Sequence, residues 1–395
     1  MIGFDEAVAI ARGVASALEA VTVALADASD LVLADDVIAA IDSPRRDVSA
    51  MDGYAIRDAD LATLPARLRL SGEAFAGHPD LPELAPATTA RIFTGGAVPP
   101  GADRVVVQEI VERDGEWAVF NEAPGPGRHI RARASDFAHG SILLHAGTLL
   151  GPRAMVAAAA ADLAELRVWR RPRFTILCTG DELVPAGTAR VNPDTIPDSI
   201  SFGVAALGRA WGGEFIGQQR LRDDPALLER AAADALATAD LVIVTGGASV
   251  GERDFAKSMF AAFDPELLFS KVAIRPGKPV WLARAAGKLI LGLPGNPTSA
   301  MVTARLFLAP LIAGLAGRDP ASALCWSKAR LAAPLAGCDD RETFARGCLS
   351  GNSVQPLLNQ DSGAQQALAK ADVLIRRRAF AAPAANGDLV DFLRF

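Results

Sequence analysis

Apolar and polar positions follow different rhythms along this chain. Residues 4–20 mix apolar and charged positions in a way that suits a helix, with Asp5 placed to cap or charge its start. From 21 to 139 the apolar segments shorten, as in Arg91-Ile92-Phe93 and Val105-Val106-Val107, and Gly- and Pro-rich turns separate them. That is the pattern of a small β-rich domain. Gly125-Pro126-Gly127 and the basic run 128–133 then read as a return crossing. The alanine-rich stretch 153–166 reads as a helix placed to pack with the first one.

Between 173 and 320 apolar strand candidates (174–178, 241–244, 279–282 and 289–291) alternate with helical stretches near 199–211, 225–238, 254–263 and 298–315. This alternation predicts a doubly wound α/β sheet with parallel strands. Beyond about 321 the helical signal fades, and segments such as Val373-Leu374-Ile375 and 389–392 predict a small terminal β domain. No internal repeat or low-complexity tract interrupts this order.

At 395 residues the chain exceeds one ordinary core, so about two to four domains are expected. Half of the residues are hydrophobic and 22% are charged, a globular composition. The net charge of -6 supplies no global positive field for nucleic acid, so an anion site must be a local concentration of basic groups. The N-terminus does not read as a signal peptide. The longest apolar run, 306–317, is interrupted by Pro310 and falls short of the roughly 20 residues of a membrane span. A soluble, cytoplasmic protein is the expectation. Cys178, Cys325, Cys338 and Cys348 show no CxxC spacing, and four histidines make a His-based triad or two-His metal motif a poor fit.

Three loops follow predicted strands of the α/β unit. Thr179-Gly180-Asp181-Glu182 follows 174–178, Thr245-Gly246-Gly247-Ala248-Ser249-Val250-Gly251 follows 241–244, and Pro294-Gly295-Asn296-Pro297 follows 289–291. Ligands of open α/β sheets bind beyond the carboxyl ends of strands, and glycine lets backbone N–H groups approach an anion. A helix beginning near Thr298 adds a partial positive charge at that edge. Each loop alone is weak evidence: a TGG after a strand is more often just a tight turn, and PGNP could equally be a rigid β-turn before a helix. No GxxxxGK[ST] or strand-linked GxGxxG occurs, which argues against a P-loop ATPase or a Rossmann dehydrogenase.

Lys257, Lys271, Arg275 and Lys278 cluster near these loops, either as a solvated rim or as an anion site whose geometry the prolines around Lys278 fix. Glu182, Asp223, Asp224 and Asp254 lie nearby. Carboxylates beside phosphate usually hold a divalent cation such as Mg²⁺. Helix N-terminal charge is the competing account for Asp223 and Asp224, which precede Pro225.

Taken together and in order, these loops resemble the molybdopterin molybdenumtransferases, the MoeA and gephyrin E-domain family. The matching stretches begin with Ser49-Ala50-Met51-Asp52-Gly53-Tyr54-Ala55, Thr94-Gly95-Gly96 through Pro99-Pro100-Gly101-Ala102-Asp103, and Thr179-Gly180-Asp181-Glu182-Leu183. They continue with Gly246 to Gly251 and Asp254, Arg275-Pro276-Gly277-Lys278-Pro279, and Leu293-Pro294-Gly295-Asn296-Pro297. The resemblance implies an elongated homodimer of four-domain subunits. In this chain it divides as 1–20 with 140–172 (a discontinuous first domain), an inserted β-rich domain 21–139, a MogA-like α/β domain 173–320 carrying the active site, and a C-terminal β-barrel 321–395. It implies insertion of molybdenum from molybdate into adenylylated molybdopterin with release of AMP, Mg²⁺ involved, and the molybdopterin adenylyltransferase as a candidate docking partner.

By the same match, Asp52, Asp136, Glu182, Asp223, Asp254, Lys271, Arg275 and Lys278 are the catalytic candidates, with Glu182 and Asp254 holding the metal. Ligand contacts fall to Thr94 and Gly95, to Thr179, Gly180 and Asp181, and to Gly246, Gly247, Ser249 and Gly251. Pro279, the Pro294-Gly295-Asn296-Pro297 loop, Arg341, Arg346 and Ser362 complete the implied pocket. Three departures stand out. Arg275 replaces a common lysine and adds a planar fork of donors. Asp198-Ser199-Ile200-Ser201 lacks a usual asparagine, and Ala134-Ser135-Asp136 stands where Gly-Glu-Asp is usual. The rivals are the single-domain adenylyltransferase, which lacks the 49–55 motif and the terminal barrel, and a non-catalytic scaffold of the same fold.

Overall fold

The computed structural model describes residues 1–246 and 255–395. The α/β domain contains a six-stranded sheet in the order Glu214–Leu221, Arg173–Thr179, Leu241–Thr245, Lys288–Leu293, Trp281–Ala285, Glu266–Phe269. The first four strands are mutually parallel, Trp281–Ala285 runs against them, and Glu266–Phe269, antiparallel to Trp281–Ala285, returns to their direction. Arg173–Thr179, first in sequence, therefore lies between the second and third strands of the domain. The chain's direction of travel across the sheet reverses there, which opens a crevice beyond Thr179 and Thr245.

Two of these strands escape the apolar pattern. Glu214–Leu221 buries fully only Leu221, and Glu266–Phe269 is an edge strand buried only at Phe269. The segment expected at 279–282 starts at Trp281 and runs antiparallel, because it returns through a tight turn to Lys288–Leu293.

The core helix falls where the helical stretch near 298–315 is expected. Pro297–Leu315 is continuous over 19 residues and almost wholly buried within this chain, which makes it a core element despite a length that would cross a membrane. A π-helical turn at Ala304–Leu308 precedes Pro310, so the ring is accommodated without ending the helix.

The N-terminal helix Phe4–Val14 corrects the expected partnership with the alanine-rich helix. Phe4, Ala7 and Ala11 enter the α/β core beside Phe307 and Phe344 instead. Phe4 packs edge-on at 4.8 Å from Phe344 of the strand Glu342–Ser350, an aromatic contact that ties the helix to the C-terminal domain. The alanine-rich helix is shorter than read, Pro152–Ala160. Glu165–Trp169 is a strand because Leu166 and Val168 alternate inward. It pairs with both Ala20–Ala24 and Val32–Leu33, so widely separated segments close over one small core.

Between those segments lies the β-rich insertion. Its six-stranded sheet contains Gly53–Ile56, Thr88–Ile92 and Arg104–Val107 side by side. At the C-terminus Ser327–Leu331, Glu342–Ser350, Ser353–Pro356, Val373–Arg377 and Leu389–Arg394 close into a five-stranded barrel through the pairing of Glu342–Ser350 with Val373–Arg377. The short strand Ile274–Arg275 from the α/β domain joins it beside Glu342 and Thr343. Arg305 of the core helix adds a second tie, donating from Nε to the Arg394 carbonyl at 2.8 Å.

Candidate functional site

The seam between the α/β domain and the barrel forms a cavity of about 530 Å³. Among the described residues Arg275, Lys278, Arg341, Arg346 and Arg377 line it against Asp339 and Asp361, a local excess of three positive charges in an acidic chain. The Arg275–Pro279 loop is seated by Gly277. Its φ of 106° and the approach of the Thr303 methyl, 2.2 Å from where a Cβ would stand, leave room for no other residue.

Arg346 is fully buried. Its Nη2 donates to the carbonyls of Asn359 and Asp361 at 3.3 and 3.1 Å, while Nε and Nη1 have no hydrogen-bond partner among the described residues. Burial pushes the guanidinium below its usual range, opposed by Asp361. Buried unpaired donors are costly, so these N–H groups call for an acceptor at the cavity wall. Arg377 likewise leaves Nη1 unpaired while Nη2 donates to the Ala382 carbonyl.

A second recess, about 220 Å³, opens at the sheet crevice and is lined by Thr179, Glu182, Asp198, Gly246, Gly295 and Asn296 among others. Gly246 is required at its floor: φ is 89°, and a Cβ would stand 2.3 Å from the Thr179 carbonyl oxygen. Gly295 packs against it less tightly, a Cβ there lying 3.5 Å from the Gly246 Cα, an ordinary van der Waals contact. The two spaces meet where Asn296 Nδ2 donates to Ser362 Oγ at 3.1 Å. The Thr298 N–H at the start of the core helix donates to the Ser362 carbonyl at 3.1 Å, so this donor of the helix terminus serves a barrel-domain loop.

Thus Thr179, Glu182, Gly246, Gly295, Asn296 and Pro297 share the crevice, and Arg275, Lys278, Pro279, Arg341, Arg346 and Ser362 share the cavity. Asp181 and Asp223 sit together at neighbouring strand ends, where Asp181 Oδ1 accepts the Asp223 N–H at 3.2 Å. The Gly180 N–H donates to the Leu221 carbonyl, and Pro294 is buried beneath its loop. Lys271 is exposed, with its carbonyl accepting from the Ile2 N–H. Asp224 is a helix cap, accepting from the Ala226 and Leu227 N–H groups.

Asp52, Thr94 and Gly95 gather in the insertion, away from the lining of both spaces. Asp52 Oδ1 accepts from the Thr94 N–H and hydroxyl, each at 2.8 Å, and these bonds hold the carboxyl below its usual range. Asp136 is exposed on the return crossing. Gly247, Ser249, Gly251 and Asp254 lie outside the described residues. Among the described residues there is no group of three His, Cys, Asp or Glu arranged for a metal. Cys178 is buried, which pushes its thiol up to about 12 and removes it from thiolate chemistry.

The sequence pattern alone did not point to Asp339, Asp361, Arg377 or Gln365, which barrel closure and its loops bring to the site. Asp198 was visible only as part of a motif. It is buried and accepts the Ser201 N–H at 3.2 Å and hydroxyl at 2.7 Å, a role that supports the crevice wall.

Family models match nearly end to end. Residues 2–161 match the MoeA N-terminal region (domain I and II), 175–314 a probable molybdopterin binding domain, and 328–395 the MoeA C-terminal region (domain IV). A molybdopterin molybdenumtransferase from Nostoc sp. is 36% identical over 82% of this chain and 75% of its own length. One from Haemophilus influenzae is 38% identical over 74% of this chain and 72% of its own. The solved molybdopterin biosynthesis MoeA protein from Pyrococcus horikosii superposes with a TM-score of 0.84 at 28% identity, covering 100% of this chain and 99% of that one. A cationic cavity beside a glycine-lined crevice, within this order of domains, accompanies those matches: the chain is a member of the molybdopterin molybdenumtransferase (MoeA) family.

Proposed function

We propose that this chain is a molybdopterin molybdenumtransferase of molybdenum cofactor biosynthesis, using molybdate and adenylylated molybdopterin and releasing AMP. The observation that carries this reading is the Asn296–Ser362 contact, which sets a cationic cavity directly against a glycine-lined crevice. Molybdate is a tetrahedral dianion and suits converging guanidinium and ammonium donors from Arg275, Lys278, Arg341 and Arg346. The backbone around Thr179, Gly180, Gly246 and Gly295 suits the phosphate-bearing partner.

Mg²⁺ fits this crevice without a protein cage. It keeps several waters and commonly takes one or two carboxylates together with substrate phosphates. Glu182 supplies one such carboxylate, and Asp254 is the second candidate from the family match. When bound, the ion would polarise the phosphoanhydride as a Lewis acid. The chain's own task is to hold both anions in register and to screen their mutual repulsion.

Asp52, Thr94 and Asp136 join the site in this reading from the second protomer of a two-fold dimer, since an isologous interface presents each patch to its counterpart twice. The test measures AMP formation from adenylylated molybdopterin with molybdate present or withheld. Molybdate-dependent release supports the assignment; release that ignores molybdate, or none with both substrates and Mg²⁺, sinks it.

A further inference from the structure

The cationic cavity holds a carboxylate between two of its arginines. Asp339 lies in the turn before Glu342–Ser350, and its Oδ1 accepts the Arg341 N–H at 3.1 Å. Its Oδ2 stands 3.4 Å from Arg341 Nη2 and 3.8 Å from Arg275 Nη1. The two guanidinium groups belong to the barrel and to the α/β domain, so this one carboxylate bridges the seam at the cavity wall. The Arg341 N–H holds the Asp339 carboxyl below its usual range.

We propose that Asp339 is a selectivity residue that makes the cavity discriminate among tetrahedral oxyanions by charge. The inference rests on the oxyanion reading of this cavity. An entering anion competes with a fixed carboxylate for Arg275 and Arg341. A monoanion that takes its place restores about the charge already there and gains little. A dianion brings a second charge for Lys278 and for the unpartnered N–H groups of Arg346. An arginine at 275 suits this arrangement, because its planar fork can offer one edge to Asp339 and another to the ligand.

Perrhenate and molybdate are the probes, being tetrahedral oxyanions of charge one and two. Both are titrated into the full-length protein at fixed ionic strength, with wild type and Asp339→Asn compared. The amide keeps an acceptor for the Arg341 N–H and removes the charge. Perrhenate should bind roughly two- to fivefold more tightly to the variant, in keeping with a part-exposed ion pair, while molybdate tightens less. Asp339→Glu should restore the discrimination. Asp339→Ser, which also retains a side-chain acceptor, replaces the amide if that variant does not fold. An unchanged molybdate-to-perrhenate ratio overturns the inference alone. So does equal weakening of both anions, which would mark Asp339 as a brace for the Arg341 turn. Absence of saturable molybdate binding by wild type overturns the oxyanion reading and this inference with it.

Discussion

Asn296 and Ser362 meet across the seam, with the amide of the first donating to the hydroxyl of the second at 3.1 Å, while the Ser362 carbonyl accepts the Thr298 N–H. A crevice loop and a barrel-domain loop are thereby held in one register. Ser362→Ala removes the side-chain bond and keeps the backbone one. Turnover should fall about three- to tenfold, the range for one hydrogen bond, with an unchanged melting profile. Unaltered kinetics for both substrates would show that the contact does not couple the two spaces.

Glu182→Gln should fold normally and turn over roughly 10²-fold more slowly if the carboxylate holds the catalytic cation. Its position on the crevice wall motivates the substitution. AMP release is measured across a Mg²⁺ titration. Near-normal release at limiting Mg²⁺ removes Glu182 from that role.

Lys278→Ala should raise the half-saturating molybdate concentration roughly 10- to 100-fold, since a charge-assisted contact contributes about 1.5–3 kcal/mol. Binding of the adenylylated pterin should change less. Arg275→Lys should retain most activity or shift oxyanion preference. An unaltered molybdate dependence in Lys278→Ala would place the oxyanion elsewhere.

The shared-site reading has its own test. Asp52→Asn and Glu182→Gln, each inactive alone, are unfolded and reassembled together. Half the dimers would be mixed, each with one intact and one doubly defective site, so activity should recover to about a quarter of wild type. A mixture as inactive as its parents would mean that both residues act within one chain.

Asp240 offers a stability test remote from the site. It accepts from Arg170 Nη1 and Nη2 at 2.6 and 2.9 Å and from the Arg173 N–H at 2.9 Å, with Lys288 at 3.3 Å. Burial would raise its carboxyl, but these donors outweigh it and hold the group at about 2. A depressed folded value means stability that is present above the unfolded value of 3.8 and lost as pH falls toward 2. Asp240→Asn should therefore cost about 3 kcal/mol at pH 7 and progressively less over that acid window, as read by denaturant unfolding. A deficit independent of pH would assign the loss to packing.

Short-range pattern determined much of this protein. Arg173–Thr179, Leu241–Thr245 and Lys288–Leu293 are almost wholly buried runs, legible because central parallel strands bury both faces. The glycine loops after them were legible because positive φ and close backbone approach demand glycine, as at Gly246. Glu214–Leu221 was not legible, since an edge strand carries polar residues and is held by its pairing with Arg173–Thr179. Tertiary structure alone decided that Phe4 docks beside Phe344, that Arg346 is buried with open donors, and that Asp339 faces Arg275. Residue spacing encodes which face of an element is apolar. It does not encode which distant element covers that face, and the cavity exists only where the barrel closes against the α/β domain.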